Sequence, residues 1–138
     1  MTVHKHNGEL HALPDKLHPS VFPGLNIDNL PLSIPIATIS SGKTMIRDGV
    51  FEGRVSMYME FQNLGVHIEG RDEHRLYITG PLPVGLIRAV ITCPTAIRPA
   101  IALLIGMLAV PGVSMLKSAA VISQGYEDYE QRFNMLQV

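Results

Sequence analysis

The 138-residue chain is the size of one domain, long enough to bury roughly two-thirds of its unfolded surface, and its 46% hydrophobic against 17% charged residues is an apolar balance for that size. A formal net charge of −1 leaves no electrostatic footprint for nucleic acid or for an acidic membrane surface. The single Cys93 excludes an intramolecular disulfide framework, so a cytoplasmic home is the expectation.

Residues 1–8 hold no apolar core and do not read as a signal peptide. Residues 3–6 and 9–13 read as short strands around the Asn7-Gly8 turn. A proline-containing loop then runs to Phe22-Pro23-Gly24, and Asp28 and Asn29 stand as candidate caps for an apolar helix over 30–39. Pro31 suits the first turn of that helix, whereas Pro35 lies deeper and should distort it. Ser40-Ser41-Gly42 ends it, and a strand over 43–46 follows. A helix is expected over 55–64, closed by Gly65. Residues 66–69 and 76–79 alternate as strands around a charged turn, and 84–93 read as a strand broken at Gly85 and Pro94. Thr95 is the expected cap of a buried helix reaching about Ala109, and Pro111-Gly112 stops it. That most apolar stretch, 97–110, is too short to span a membrane and carries Arg98, Pro99 and Gly106. A strand over 113–120 precedes a last amphipathic helix with Tyr126, Tyr129, Phe133 and Leu136 on one side.

Between the strand at 43–46 and the helix at 55–64 lies Phe51-Glu52-Gly53-Arg54. An arginine two places after a glutamate is thereby pinned at a strand-to-helix junction, where side chains and free helix N–H groups can converge on an anion. A surface salt bridge at a helix start is the plainer reading of the same residues.

Other features carry less. His4 and His6 share a strand face but have no third ligand in view, and His11, His18, His67 and His74 show no ligand spacing. Cys93 reads as a buried strand residue, and Met45, Met57, Met59, Met107 and Met115 as core or interface. Glu127, Asp128 and Glu130 alternate with tyrosines as an ordinary polar helix face. No Gly-rich phosphate loop, nucleophile elbow or zinc pattern occurs, so no metal is expected.

The two halves repeat. Ser41-Gly42-Lys43-Thr44-Met45-Ile46-Arg47 aligns with Pro111-Gly112-Val113-Ser114-Met115-Leu116-Lys117, each after an apolar helix and before an amphipathic one. The expected fold class is α+β, two βαβαβ-type units within one domain, about 1–70 and about 71–138.

From about His11 onward the chain resembles the C-terminal third of the UDP-N-acetylglucosamine enolpyruvyltransferase (1-carboxyvinyltransferase) family, itself related to 5-enolpyruvylshikimate-3-phosphate synthase. The carriers are Pro23-Gly24-Leu25-Asn26-Ile27-Asp28, Val50-Phe51-Glu52-Gly53-Arg54, Leu64-Gly65-Val66-His67-Ile68, Thr95-Ala96-Ile97-Arg98 and Ile122-Ser123-Gln124-Gly125-Tyr126-Glu127. The resemblance implies an inverse α/β prism of repeated units, three to a domain, with the active site between two domains. It also implies transfer of enolpyruvate from phosphoenolpyruvate to a sugar hydroxyl without metal or organic cofactor. By motif, Asp28 matches the base toward that hydroxyl and Glu52 an acidic neighbour in proton handling. Arg54 and Arg98 match arginines that grip the phosphoenolpyruvate carboxylate. An arginine fork meets a carboxylate with two parallel charge-assisted bonds, which suits that ligand.

Two departures weaken the match. A third arginine of the family stands here as Gln124, and an aspartate as Ala96. The family's N-terminal portion, with its lysine-asparagine pair and mobile loop, has no counterpart in the sequence. The expectation is a carboxyvinyltransferase-like chain, active only where a homo-oligomer or complementary half completes the site, with phosphoenolpyruvate or a nucleotide sugar as ligand. The rival is a non-catalytic binding or structural protein that kept the fold. Neither involves nucleic acid or a membrane.

Overall fold

The computed structural model describes residues 8–13, 15–82 and 85–136, and of Leu136 only the backbone. The expected strand at 3–6, the turn residue Asn7, the His4/His6 pair and the start of the 84–93 strand lie outside the described residues, as does the Leu136 side chain.

A three-stranded antiparallel sheet forms the first unit. In β1 (Gly42–Arg47) Thr44 and Ile46 turn inward, and in β3 (Arg75–Gly80) Leu76 and Ile78 do the same. Period-two alternation thus puts one apolar face on the core. The register pairs Thr44 with Ile78 and Ile46 with Leu76, and β2 (His67–Gly70) adds Ile68 opposite Ile78 on the far side of β3. This hydrogen-bonded sheet runs to Gly80. Residues 9–13 form no strand of their own. The 11–17 stretch instead touches the other edge of β1 through parallel bridges, His11 to Ser41 and Leu17 to Ile46.

Against the sheet packs α1 (Ser33–Ile39), led by a 3-10 turn Leu30–Leu32, and together they bury Leu30, Ile34 and Ala37. The helix expected over 30–39 is thus broken between Leu32 and Ser33, and Pro35 falls in the first turn of α1, where its missing N–H has no partner to lose. Asn29 occupies the cap position without a side-chain capping bond, and Asp28 does not cap at all. The helix expected over 55–64 divides into α2 (Arg54–Tyr58) and a 3-10 stretch Met59–Leu64, which buries Phe61 and Leu64. Gly65, left-handed at φ 83°, closes it as the sequence suggests.

The second unit is smaller. Its two strands, β4 (Val90–Thr92) and β5 (Met115–Lys117), pair in parallel. Both are shorter than expected. Before β4 the Ile87 N–H is drawn to the Leu64 carbonyl, and after β5 Ser118 takes φ 59°, which breaks the extended run. Between the strands runs α3 (Ile97–Leu108), whose cap residue is Ala96 with no side-chain bond, so Thr95 does not cap it. Its inner face, including Ala102, Leu103 and Met107, joins the main core, while Ala100 and Ile101 meet Cys93 and Ile122 in a second cluster. A Cβ on Gly106 would lie 2.9 Å from Phe61 Cε1, so the glycine is what lets that ring approach α3. Two short helices, α4 (Ala120–Ser123) and α5 (Tyr129–Leu136), complete the chain.

β1 and β5 each follow a helix and lead into a short one, with a positive-φ glycine at the first residue of β1 (Gly42 at 111°) and three residues before β5 (Gly112 at 94°), but β1 pairs antiparallel and β5 parallel. No helix among the described residues is long and apolar enough to cross a membrane.

Candidate functional site

The turn after β1 is organised by a residue that the sequence pattern passes over. Asp48 is fully buried. Its backbone N–H donates to the His74 carbonyl at 2.8 Å, and His74 Nδ1 donates to the Asp48 carbonyl at 3.0 Å. Its carboxylate accepts the Phe51 N–H at 3.3 Å and the Tyr58 hydroxyl at 2.8 Å. Arg54 opens α2, and Tyr58 stands four residues on, hence on the same helix face. Both side chains therefore reach back to Asp48, with Arg54 Nη1 at 3.7 Å from Asp48 Oδ2. Burial, reinforced by the neighbouring carboxylate, pushes the Tyr58 hydroxyl well above its usual range.

Arg54 is only 8% exposed. Its guanidinium carbon sits 3.6 Å from the centroid of the Phe51 ring, a cation–π stack. Nη1 is buried, and among the described residues it finds no hydrogen-bond acceptor. The acidic partner expected from the sequence was Glu52. Instead Gly53, left-handed at φ 72°, turns the chain between them, Glu52 stays exposed, and Asp48 takes the pairing.

A second cluster joins the two units. Arg98, in the first turn of α3, donates to the Tyr126 hydroxyl at 2.8 Å and lies 5.4 Å from that ring's centroid. Its Nη2 stands 3.7 Å from Asp28 Oδ2, with the two side chains 33% and 49% exposed. Asp28 is set by a local turn, its N–H donating to Asn26 Oδ1 at 2.8 Å. Asp28 and Arg98 are thus brought together from distant segments in half-exposed surroundings, where an approaching anion competes with a loose, solvent-screened pair. Gln124 follows α4 and is exposed, and Ala96 precedes α3; neither adds charge.

An open groove of about 490 Å³ runs between the loop bearing Val21, Phe22, Leu25 and Ile27 and the turn residue Val50. Asp28 follows Ile27 and Phe51 follows Val50, so the groove's walls are the segments that carry these two residues. Elsewhere, Cys93 is buried, and that burial pushes its thiol up. Among the described residues no three His, Cys, Asp or Glu side chains gather to hold a metal.

Arg54 stands at the junction and Arg98 at the helix start that the sequence pattern predicts, whereas Asp48, Tyr58 and the stacking of Phe51 belong to no sequence motif. The four-residue spacing of Arg54 and Tyr58 was the available signal.

No protein-family model matches the chain. Individual proteins do. The chain is 30% identical over 115 residues to UDP-N-acetylglucosamine 1-carboxyvinyltransferase of Porphyromonas gingivalis, an alignment covering 83% of this chain and 26% of that protein. The enzyme of the same name from Bradyrhizobium diazoefficiens is 31% identical over 121 residues, covering 88% of this chain and 27% of its own length. In structure, the enolpyruvyl transferase NikO from Streptomyces tendae superposes with a TM-score of 0.74 at 28% identity, over 90% of this chain and 29% of NikO. The fold is therefore of the α+β enolpyruvyltransferase type, and the chain spans about a quarter of the length of the curated relatives it matches.

Proposed function

We propose that this chain, which by sequence and fold belongs with the UDP-N-acetylglucosamine 1-carboxyvinyltransferases, supplies one side of an enolpyruvyl-transfer site. The observation that carries the reading is the meeting of Asp28 and Arg98 from the two units, beside Tyr126 and along from the open groove. In the reaction, a sugar hydroxyl adds to C2 of phosphoenolpyruvate as C3 takes up a proton, and the adduct then loses phosphate from C2 and a proton from C3, so the enolpyruvyl group passes to the sugar oxygen. Arg98 holds the phosphoenolpyruvate carboxylate, Asp28 takes the hydroxyl proton, and Glu52 assists proton transfer from its exposed turn. Arg54 is the second arginine of the pair. Turnover depends on further charge stabilisation from outside these 138 residues, since Gln124 and Ala96 are neutral. The setting is cytoplasmic, and UDP-N-acetylglucosamine is the acceptor.

A second reading has an observation of its own. Arg54 is covered by Phe51 and partly neutralised by Asp48, which suits a structural strut more than an open ligand site. On that reading the chain is a non-catalytic protein that keeps an anion site at Arg98.

Titration calorimetry with phosphoenolpyruvate and UDP-N-acetylglucosamine, separately and together, tests both. The enzymatic reading expects phosphoenolpyruvate binding that Arg98→Ala weakens by about 1.5–3 kcal/mol, the range for a charge-assisted bond. Arg98→Lys recovers only part, because an ammonium cannot present the fork. Binding of neither ligand, with or without the other, removes the enzymatic reading. The purified 138-residue chain alone is expected not to release phosphate at a rate near that of a complete enzyme.

A further inference from the structure

We propose that Phe51 is a lid on Arg54: the ring must leave the guanidinium before this arginine can take an anion, so Phe51 sets access to the Arg54 half of the site. The ligand part rests on the reading above; the lid itself does not. A purely structural arginine at this depth should have its donors filled, because an unmet buried charged donor is costly. Arg54 is 8% exposed, yet Nη1 has no acceptor among the described residues, and its contact with Asp48 is stretched to 3.7 Å. The arginine is therefore buried with donor capacity in reserve.

What covers it is a residue able to move. Phe51 is 40% exposed and belongs to the turn between β1 and α2 rather than to either element. Its backbone is tethered by one 3.3 Å bond to Asp48. Beside it Gly53 stands in open space, with no atom within 4 Å of where a Cβ would be. A single cation–π contact is weaker than a pair of charge-assisted bonds to a carboxylate or phosphate, so an arriving dianion repays the opening. Val50, which lines the groove, is the neighbouring residue, so the ring moves at the edge of the space a ligand would enter.

Arginine labelling with phenylglyoxal, read residue by residue by mass spectrometry, tests the lid without any ligand. In the wild type Arg54 should react much more slowly than the exposed Arg47 and Arg71. Phe51→Ala should speed its labelling about tenfold, the scale set by losing such a contact, while Phe51→Tyr keeps the slow rate. Circular dichroism confirms that each variant stays folded. Arg54 labelled as fast as Arg71 in the wild type, or at one rate in all three proteins, overturns the proposal.

Calorimetry with phosphoenolpyruvate adds the functional arm. Phe51→Ala should bind it about 3- to 10-fold more tightly, and Arg54→Ala added to that variant should erase the gain. Equal affinity in wild type and Phe51→Ala, with Arg98→Ala weakening both, overturns the lid and keeps the site. Phosphoenolpyruvate bound by none of these proteins removes the site reading, and the labelling rates then decide the lid alone.

Discussion

Asp48 shows how one side chain can set a site without belonging to a recognisable motif. It is fully buried and gathers the Tyr58 hydroxyl, the Phe51 N–H and the Arg54 guanidinium. Removing it strands a buried arginine, and breaking a buried pair from one side costs about 3–5 kcal/mol. Urea unfolding of Asp48→Ala should show a loss of that size, and a loss below about 1 kcal/mol would mean that Arg54 is already hydrated. Tyr58 gives a pH signature. Its folded pKa is raised, so its contribution is intact below the unfolded value near 10 and is lost as pH rises beyond it. Between about pH 9 and pH 11 the urea midpoint should fall in the wild type and fall less steeply in Tyr58→Phe. Equal slopes would place the high-pH loss elsewhere.

At the scale of elements, two glycines separate steric from conformational cost. Gly80 ends β3 against the close of α1, where a Cβ would lie 2.6, 2.7 and 2.8 Å from the carbonyl oxygens of Ser40, Ala37 and Thr38. These are backbone atoms that cannot rotate away, so Gly80→Ala should cost at least about 1–3 kcal/mol by overpacking. Gly53 has open space around it but a φ of 72°. Gly53→Ala should therefore cost only about 1–2 kcal/mol, from backbone strain alone. Chemical denaturation of both variants checks the ordering, and a milder loss at Gly80 than at Gly53 would contradict the joint between α1 and β3. The divided helix after Arg54 belongs to this scale too. Its second half tightens into a 3-10 stretch as Phe61 and Leu64 reach the core, which periodicity alone does not reveal.

Over the whole molecule the outward faces of α1 and α3 remain apolar. Ile36 and Ile39 on α1 are 55% and 58% exposed, and Ile105 and Leu108 on α3 are 38% and 53% exposed. Helices this apolar on their outer side are commonly covered by another surface. Self-association, or a complex with a complementary chain, is expected there, burying more than about 1,000 Å² in total. Light scattering after gel filtration should report a mass above 15.1 kDa, and Leu108→Glu should return it toward the monomer. A wild-type protein that elutes as a stable monomer would refute the expectation.

The amino-acid sequence alone determined most of the local architecture. Alternation in 43–46 and 76–79, the left-handed stop at Gly65 and the apolar run of α3 each follow from a few neighbouring residues, because periodicity and glycine geometry are local properties. The motifs around Asp28, Arg54 and Arg98 also point to the family of the enzymes that the chain resembles in sequence and fold. Tertiary structure decided the rest. Thr95 and Asp28 had the right residue types to cap helices, but the chain's path sent Asp28 to Arg98 instead. Glu52 had the nearer sequence position, yet Asp48 is the carboxylate buried with Arg54. Which acid meets which arginine depends on where β1, α2 and α3 pack, and electrostatic partners inside a fold are chosen by burial and distance in space, not by separation along the chain.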